Sequence, residues 1–564
     1  MYDELREVWQ EFTAPGGPFE IKTQEVLGRP LKTYANAPAS LRDIWLASAG
    51  YAERDYLVYG DERWTYEDAH RDTAAIAAWL TDHGICSGDR IAIAMRNYPE
   101  WMLTYWAAVS IGVSVVGMNA WWVGPEMAYG LQDSAPKLLI ADKERLASYL
   151  AIAEETPPMQ VIAVRVEGEL PSGVLPFSAM TEGGGSMPEV SIDTDSDACI
   201  FYTSGTTGRP KGAQLTHRGC VSNLMSLAFW NTAQGEVMKR AAKNDPTLSD
   251  PGAIAALIVT PLFHVTANNC LAQAMTLGGG KLVHMYKWEA GEALRLIEAE
   301  SITNFSGVPT MARELIAHSD FATRDTSSLK SLGGGGAQLQ PDLVEKIEKA
   351  GPARPATGYG MTEVCGIITA NSSHFFIDKP ASCGPAMPCF EVQCVDADGN
   401  PVGPGDVGEL WVRGAQVIRG YLNRPEATEE SITDGWMHTG DIARIDDDGF
   451  IFIVDRAKDM LLRGGENVYC AEVETAIFDH EAVAECAVFG VPDDRLGEEV
   501  GVAVVLSPGK SVTADELRAH IAGTLARYKI PRYIWFQDQA LPRNASGKFL
   551  KRELRDTLAT KDAV

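Results

Sequence analysis

No C-x-x-C pair occurs in the chain, and its ten cysteines are scattered. The one loose cluster, Cys383, Cys389 and Cys394, has no histidine at metal-ligand spacing, which argues against zinc and for free thiols in a reducing compartment. There is no run of Lys or Arg either. With 76 acidic against 49 basic residues the net charge is −27, so the surface repels nucleic acid and anionic membranes. A polyanionic ligand must then be held by a few placed cations and backbone N–H groups. The opening "MYDELREVWQEF" is acidic and amphipathic and lacks a basic segment followed by an apolar one, so a cytoplasmic location is expected. Internal repeats and low-complexity tracts are absent. A single charge-free run, residues 101–124, is long enough to span a bilayer. Gly112 and Gly117 divide it, and a buried helix followed by a buried strand is the better reading.

What is present is ordinary globular material: 45% apolar and 22% charged residues over 564 positions, enough for about three or four compact units at roughly 150 residues each. Short β-branched runs such as "RIAIAM", "KLLIAD", "QVIAVRV" and "ALIVT" alternate with helical patterns, which predicts an α/β class with buried parallel strands. After about Pro380, Asp-Gly and Pro-Gly turns between short strands predict a small antiparallel barrel or sandwich. A helix over 471–480, strands over 485–490 and 500–506, and a helix over 513–527 predict a small α+β unit at the end. The expected division is a large domain over 1–455 and a small, mobile one over 456–564, hinged near 455–458. Residues 232–253 read as an exposed, helix-poor excursion.

The segment "YTSGTTGRPKGAQLTH", residues 202–217, follows the strand-like "ACIFYTSG" and precedes a helix-like stretch. That context suits a phosphate cradle made of successive backbone N–H groups, with hydroxyls and Lys211 as further donors. The Walker A spacing fails, because Pro210 precedes the lysine and Gly212 follows it. On its own the segment is either another kind of nucleotide loop or a surface loop.

Six further segments decide between them: "PLFHV" at 261–265, "GGGGAQ" at 333–338, "TGYGMTE" at 357–363, "HTGD" at 438–441, "DRAKDMLLRGGENV" at 455–468 and "PRNASGKFLKREL" at 542–554. In order and approximate spacing the seven resemble the adenylate-forming superfamily, which includes acyl-CoA synthetases, peptide-synthetase adenylation domains and beetle luciferases. The likeness runs from about residue 40 to the end and is nearest to the fatty-acyl-CoA synthetases among the AMP-forming acid–CoA ligases. It implies a two-step reaction in which a carboxylate and ATP give an acyl-adenylate and pyrophosphate, and the thiol of coenzyme A then displaces AMP. Such chemistry needs cations and fixed donors rather than a nucleophilic side chain.

The resemblance assigns roles residue by residue. Thr203, Ser204, Gly205, Thr206, Thr207 and Gly208 would hold the β- and γ-phosphates, with Lys211 in support. Thr362 would meet the α-phosphate, and Glu363 would help hold Mg²⁺, which suits one carboxylate plus phosphate oxygens and water. Tyr359 would stack on adenine, flanked by Gly358, Gly360 and Met361, while Gly335, Gly336 and Ala337 line its other face. Asp441 would accept both ribose hydroxyls, with Ile453 and Arg456 beside it. Lys548 would be the catalytic cation of adenylation and Lys458 the hinge, and Gly464, Gly465 and Glu466 would enter for the CoA step.

His264 stands where amino-acid-activating relatives place an aspartate against the substrate ammonium, so an acid without an α-amine is expected; a gate of the acyl pocket or a core histidine are its two readings. Trp230, Asn268, Gly307, Gly335, Val364, Cys365, Gly366 and Ile367 are the acyl-pocket candidates. They are small or apolar, and the glycines argue for an open tunnel and hence a medium- or long-chain fatty acid. A slot for an aryl or aryl-propenoate acid is the alternative. A ligase loading a separate carrier protein and a luciferase-type oxygenase share the fold; a non-catalytic binder would be expected to lack Glu363 or Lys548. The expected partners are the acid and coenzyme A, without nucleic acid or a membrane span, and a homodimer stays open.

Overall fold

The computed structural model describes residues 1–203, 209–241, 252–457, 459–463, 466–493, 495–544 and 547–564. Ser204 to Gly208, Lys458, Gly464 and Gly465 lie outside the described residues, as do 242–251. Among the described residues the architecture is α/β, built on two large sheets, a smaller antiparallel sheet and a final α+β unit.

In the first sheet Ser114–Gly117, Arg90–Ala94, Leu138–Asp142 and Gln160–Val164 run parallel and are buried along almost their whole length. Burial on both faces is why these runs read as continuous apolar stretches rather than alternating ones. The charge-free run resolves as expected. Helix Pro99–Ser110 starts on its proline, buries Trp101 and Trp106, and hands over to the Ser114–Gly117 strand. No helix among the described residues is long and apolar enough to cross a membrane.

In the second sheet Lys281–His284, Ala255–Ile258, Asn304–Gly307, Ser331–Gly334 and Arg354–Met361 are parallel neighbours, and Gly366–Ser372 closes the edge antiparallel to Arg354–Met361. The expected antiparallel unit after residue 380 is present as Phe390–Val395, Gly408–Gly414, Trp436–Ile445 and Phe450–Arg456. The final unit pairs Val483–Asp493 with Gly497–Leu506, and Tyr533–Gln537 lies parallel to the latter. Helix Cys470–Phe478 packs on these strands.

Two expectations change, while the helix expected to follow the glycine-rich segment from about His217 begins there. A strand stands before it. Lys211–Thr216 is a strand paired antiparallel with Asp197–Thr203, so the segment joins the two arms of a hairpin. Only then does helix His217–Arg240 begin, capped by the Thr216 hydroxyl accepting from Gly219 N at 3.0 Å. Residues 232–240 are the last turns of that helix, with Ala233, Gln234, Val237 and Met238 buried, so the excursion starts later than its polarity suggested. The helix expected over 513–527 is the shorter Ala514–Ile521, ending before Gly523, whose conformational freedom disfavours a helix interior.

The amphipathic opening is helix Tyr2–Thr13, which buries Leu5 and Val8. Trp9 stands edge-on to Phe229 at 4.6 Å between ring centres. Tyr2 donates to Asp378 at 2.6 Å, and Arg6 reaches Asp448 at 3.2 Å. The helix thus ties together parts of the chain hundreds of residues apart.

Candidate active site

The site residues gather at the carboxyl ends of strands, where Thr203, Gly334 and Met361 each end one. Close packing of these strands explains several glycines. A Cβ on Gly334, whose φ is +143°, would collide with the carbonyl of Gly307, and one on Gly360 with that of Gly366. These glycines serve the close approach of neighbouring strands.

Asp441 is the centre of the first cluster. The Trp436–Ile445 strand carries it directly opposite Arg456 on Phe450–Arg456, and Arg456 Nε lies 3.1 Å from its carboxylate. Tyr359, from the second sheet, donates its hydroxyl to Asp441 Oδ2 at 2.6 Å. Thr439 holds the Asp441 backbone N–H at 3.1 Å while donating to the Leu410 carbonyl. Burial and the Asp441 charge push the Tyr359 phenol upward, so it remains a donor. Ile453 sits on the same strand as Arg456.

Glu363 is buried in the short turn Thr362–Val364, which Cys365 ends in a left-handed conformation. Tyr421 donates to Glu363 Oε1 at 2.8 Å, and the backbone N–H of Ile418 holds the Glu363 carbonyl at 2.9 Å. The Lys211 ammonium lies 5.0 Å from the centre of the Tyr421 ring. Lys211, Tyr421 and Glu363 therefore form one chain of contacts from the hairpin to the Thr362 turn. No motif signals Tyr421.

Lys548 reaches the same region from the final unit. Its turn is made by Asn544, whose side chain accepts from Lys548 N at 3.0 Å, and by Gly547 at φ +77°, which sits against Val308. Arg543 braces the turn by stacking on Phe549 at 4.0 Å and pairing with Glu485 at 3.0 Å. The Lys548 side chain stays exposed; partial desolvation and the Arg456 cation push its ammonium down, while Asp441 and Glu363 pull it up. His264, beside the Phe263 ring, is pushed down to about 4 by burial and by the Lys548 charge, so it is neutral at pH 7. The two units touch again where Thr475 donates to Gln340 at 2.9 Å and Arg313 lies over Phe478 at 5.2 Å.

The neighbouring cavity, of about 170 Å³, is lined by Leu227, Val265, Thr266, Cys270, Phe305, Ile367 and Ala370, together with Gly334, Gly335, Gly336, Gly358, Gly360 and Gly366. Of the acyl-pocket candidates, Gly335, Gly366 and Ile367 line it. Trp230, Asn268, Gly307, Val364 and Cys365 do not. Asn268 is fully buried, accepts from Trp101 and donates to Asn269, while Val364 and Cys365 point into the core. Gly307 is occupied by its approach to Gly334, and Trp230 lies beyond Leu227 on the same helix. Ala337 and Gly336 are exposed, Met361 and Thr362 are half-buried, and Glu466 opens the strand Glu466–Val468.

Among the described residues no group of three or more His, Cys, Asp or Glu could cage a metal. A lone buried carboxylate, Glu363, suits Mg²⁺, which keeps water and phosphate oxygens as its other ligands.

Comparison with known proteins gives the same class. The AMP-binding enzyme model matches residues 45–422, and the model of the AMP-binding enzyme C-terminal domain matches 472–548. The chain belongs to the AMP-binding enzymes, the adenylate-forming superfamily, and is an enzyme of their AMP-forming CoA-ligase branch. A feruloyl-CoA synthase of Amycolatopsis sp is 36% identical over 500 residues, covering 88% of this chain and 94% of that protein. A long-chain-fatty-acid–CoA ligase of Bacillus subtilis (strain 168) is 31% identical over 537 residues, covering 90% and 92%. ATP-bound MatB from Rhodopseudomonas palustris superposes with a TM-score of 0.79 at 27% identity, covering 92% and 98%.

Proposed function

We propose that this ligase activates a compact, apolar carboxylic acid of the aryl or aryl-propenoate kind with ATP and passes the acyl group to coenzyme A. The observation that carries the catalytic reading is the convergence of Lys548 with Asp441, Arg456, Glu363 and His264, groups distant in sequence and from two different units. In the first step the acid's carboxylate oxygen bonds to the α-phosphorus of ATP while the bond to pyrophosphate breaks. Lys548 offsets charge shared between that carboxylate and the α-phosphate, Thr362 donates to it, and Thr203 with Lys211 binds the departing phosphates. Asp441, aligned by Tyr359, Arg456 and Thr439, holds the ribose. Glu363 would hold Mg²⁺, which neutralises phosphate charge when bound. In the second step the CoA thiol loses its proton and attacks the acyl carbon, and AMP leaves. The domain boundary at 455/456, with Lys458 as hinge and 464–466 as the incoming loop, fits this division into two steps.

The neutral His264 and the absence of a carboxylate at its position support an acid without an α-ammonium. A cavity of about 170 Å³ supports a compact acid. The second reading, a medium- or long-chain fatty acid, is favoured by the Bacillus relative and needs the cavity to open at its far end. Pyrophosphate release across benzoates, hydroxycinnamates and fatty acids of increasing length, with and without CoA, tests both. Release that never becomes CoA-dependent thioester would overturn the ligase assignment of the thiol step.

A further inference from the structure

One wall of the cavity lies along the seam between helix His217–Arg240 and strand Gly366–Ser372. Leu227 lines the cavity from the helix, and Gly366 and Ala370 line it from the strand. Two hydrogen-bonded clips hold the seam, one on each side of Leu227. At one end Asn223 Oδ1 accepts from Ile367 N at 2.9 Å, and its amide donates to the Asn269 carbonyl at 3.2 Å. At the other end Trp230 Nε1 donates to Ser372 Oγ at 2.9 Å, and Ser372 Oγ donates to Gln234 Oε1 at 3.0 Å.

Residues 223, 227, 230 and 234 fall at i, i+4, i+7 and i+11, one face of a helix. On the strand, Ser372 is two residues past Ala370, on the same face and about 6.6 Å further along. The second clip therefore stands next in line after the cavity-lining pair on both elements. The Trp230 indole, 2% exposed, fills the position, backed by the Phe375 ring at 5.8 Å between centres. Beyond it Phe375 meets Tyr2 of the opening helix.

We propose that Trp230, fixed by Ser372 and Gln234, is the stop that sets the length of acid accepted, an inference that rests on the compact-acid reading above. Trp230 faces the distal end of the substrate, and Ser372 and Gln234 are positioning residues that keep its ring across the path. One methylene in an apolar pocket is worth roughly 10- to 200-fold in discrimination. Opening the stop should thus alter the length profile rather than scale all activities together.

The test is kcat/KM for pyrophosphate release with ferulate, hexanoate, decanoate and palmitate. Wild type is expected to favour ferulate and hexanoate. In Trp230→Ala the ratio of decanoate and palmitate to ferulate should rise at least about tenfold. Trp230→Phe, which keeps a ring in place, should stay near the wild-type profile. Ser372→Ala, the gentler variant should Trp230→Ala fail to fold, should shift the ratio the same way by less. A folded Trp230→Ala with an unchanged length profile would overturn the stop, and so would a wild type that already prefers palmitate. Release with none of the acids would instead refute the compact-acid reading itself.

Discussion

Replacing Tyr421 with phenylalanine removes one oxygen from the site and keeps the ring that lies under Lys211. In the native chain that oxygen donates to Glu363 Oε1 at 2.8 Å, and both residues are at most 8% exposed. A hydrogen bond to a charged group is worth about 1.5–3 kcal/mol, and a buried carboxylate deprived of its donor bears the cost directly. At about 1.4 kcal/mol per factor of ten, that is roughly a 10- to 150-fold fall in kcat/KM for ATP if Glu363 acts on the nucleotide and its cation. The loss should concentrate in the half-reaction that releases pyrophosphate and deepen as Mg²⁺ is lowered, because the bond orients the carboxylate. The assay is pyrophosphate release at several Mg²⁺ concentrations, beside thermal melts of both proteins. A variant with a lowered Tm but with kcat/KM for ATP within about twofold of wild type would refute the reasoning, since the bond would then be worth its 1.5–3 kcal/mol to the fold alone.

Lys548→Ala should reduce adenylation by on the order of 10²–10³, as loss of one preorganised donor does, yet leave thioester formation from supplied acyl-adenylate near the wild-type rate; equal loss in both steps would contradict the assignment, and paired half-reaction assays decide it. Acid should weaken the fold through His217, which is fully buried and pushed down to about 4 by burial, against about 6.5 unfolded. A depressed folded value means that the unfolded chain takes the proton first, so this contribution is complete above about pH 6.5 and is lost as pH falls toward 4. His217→Asn, whose carbonyl can still accept from Leu41 N, should therefore lose about 2 kcal/mol less stability than wild type between pH 7 and pH 5 in denaturant melts, and equal slopes would count against it.

The α/β class and the run of parallel strands were legible because burial on both faces leaves a strong apolar signal. The candidate site's charged members were picked out by short motifs, for a physical reason: the phosphate, ribose and carboxylate that the resemblance implies would each demand a particular donor at a fixed place. Tyr421 was not, since a tyrosine 58 residues from its carboxylate partner leaves no periodic or local trace. Permissive backbone is visible in sequence while its use is not; at Gly334 and Gly360 it permits strands to touch. Strand Lys211–Thr216 was hidden by its lysine, glycine and glutamine, polar or small positions that a hairpin edge tolerates. The continuation of the helix to Arg240 could have been found, since Ala233, Val237 and Met238 recur at helical spacing among exposed polar residues.

The opening helix has a consequence for how the chain comes to be folded. Its partners, Phe229, Asp378 and Asp448, are made long after it leaves the ribosome. At roughly 5–20 residues per second, the partner at position 448 follows Tyr2 by about 20–90 s. Through that interval Leu5, Val8, Trp9 and Phe12 have no native surface to cover them. Synthesis therefore leaves an amphipathic segment waiting for its partners, and its docking comes only after the residues around 448 have been made.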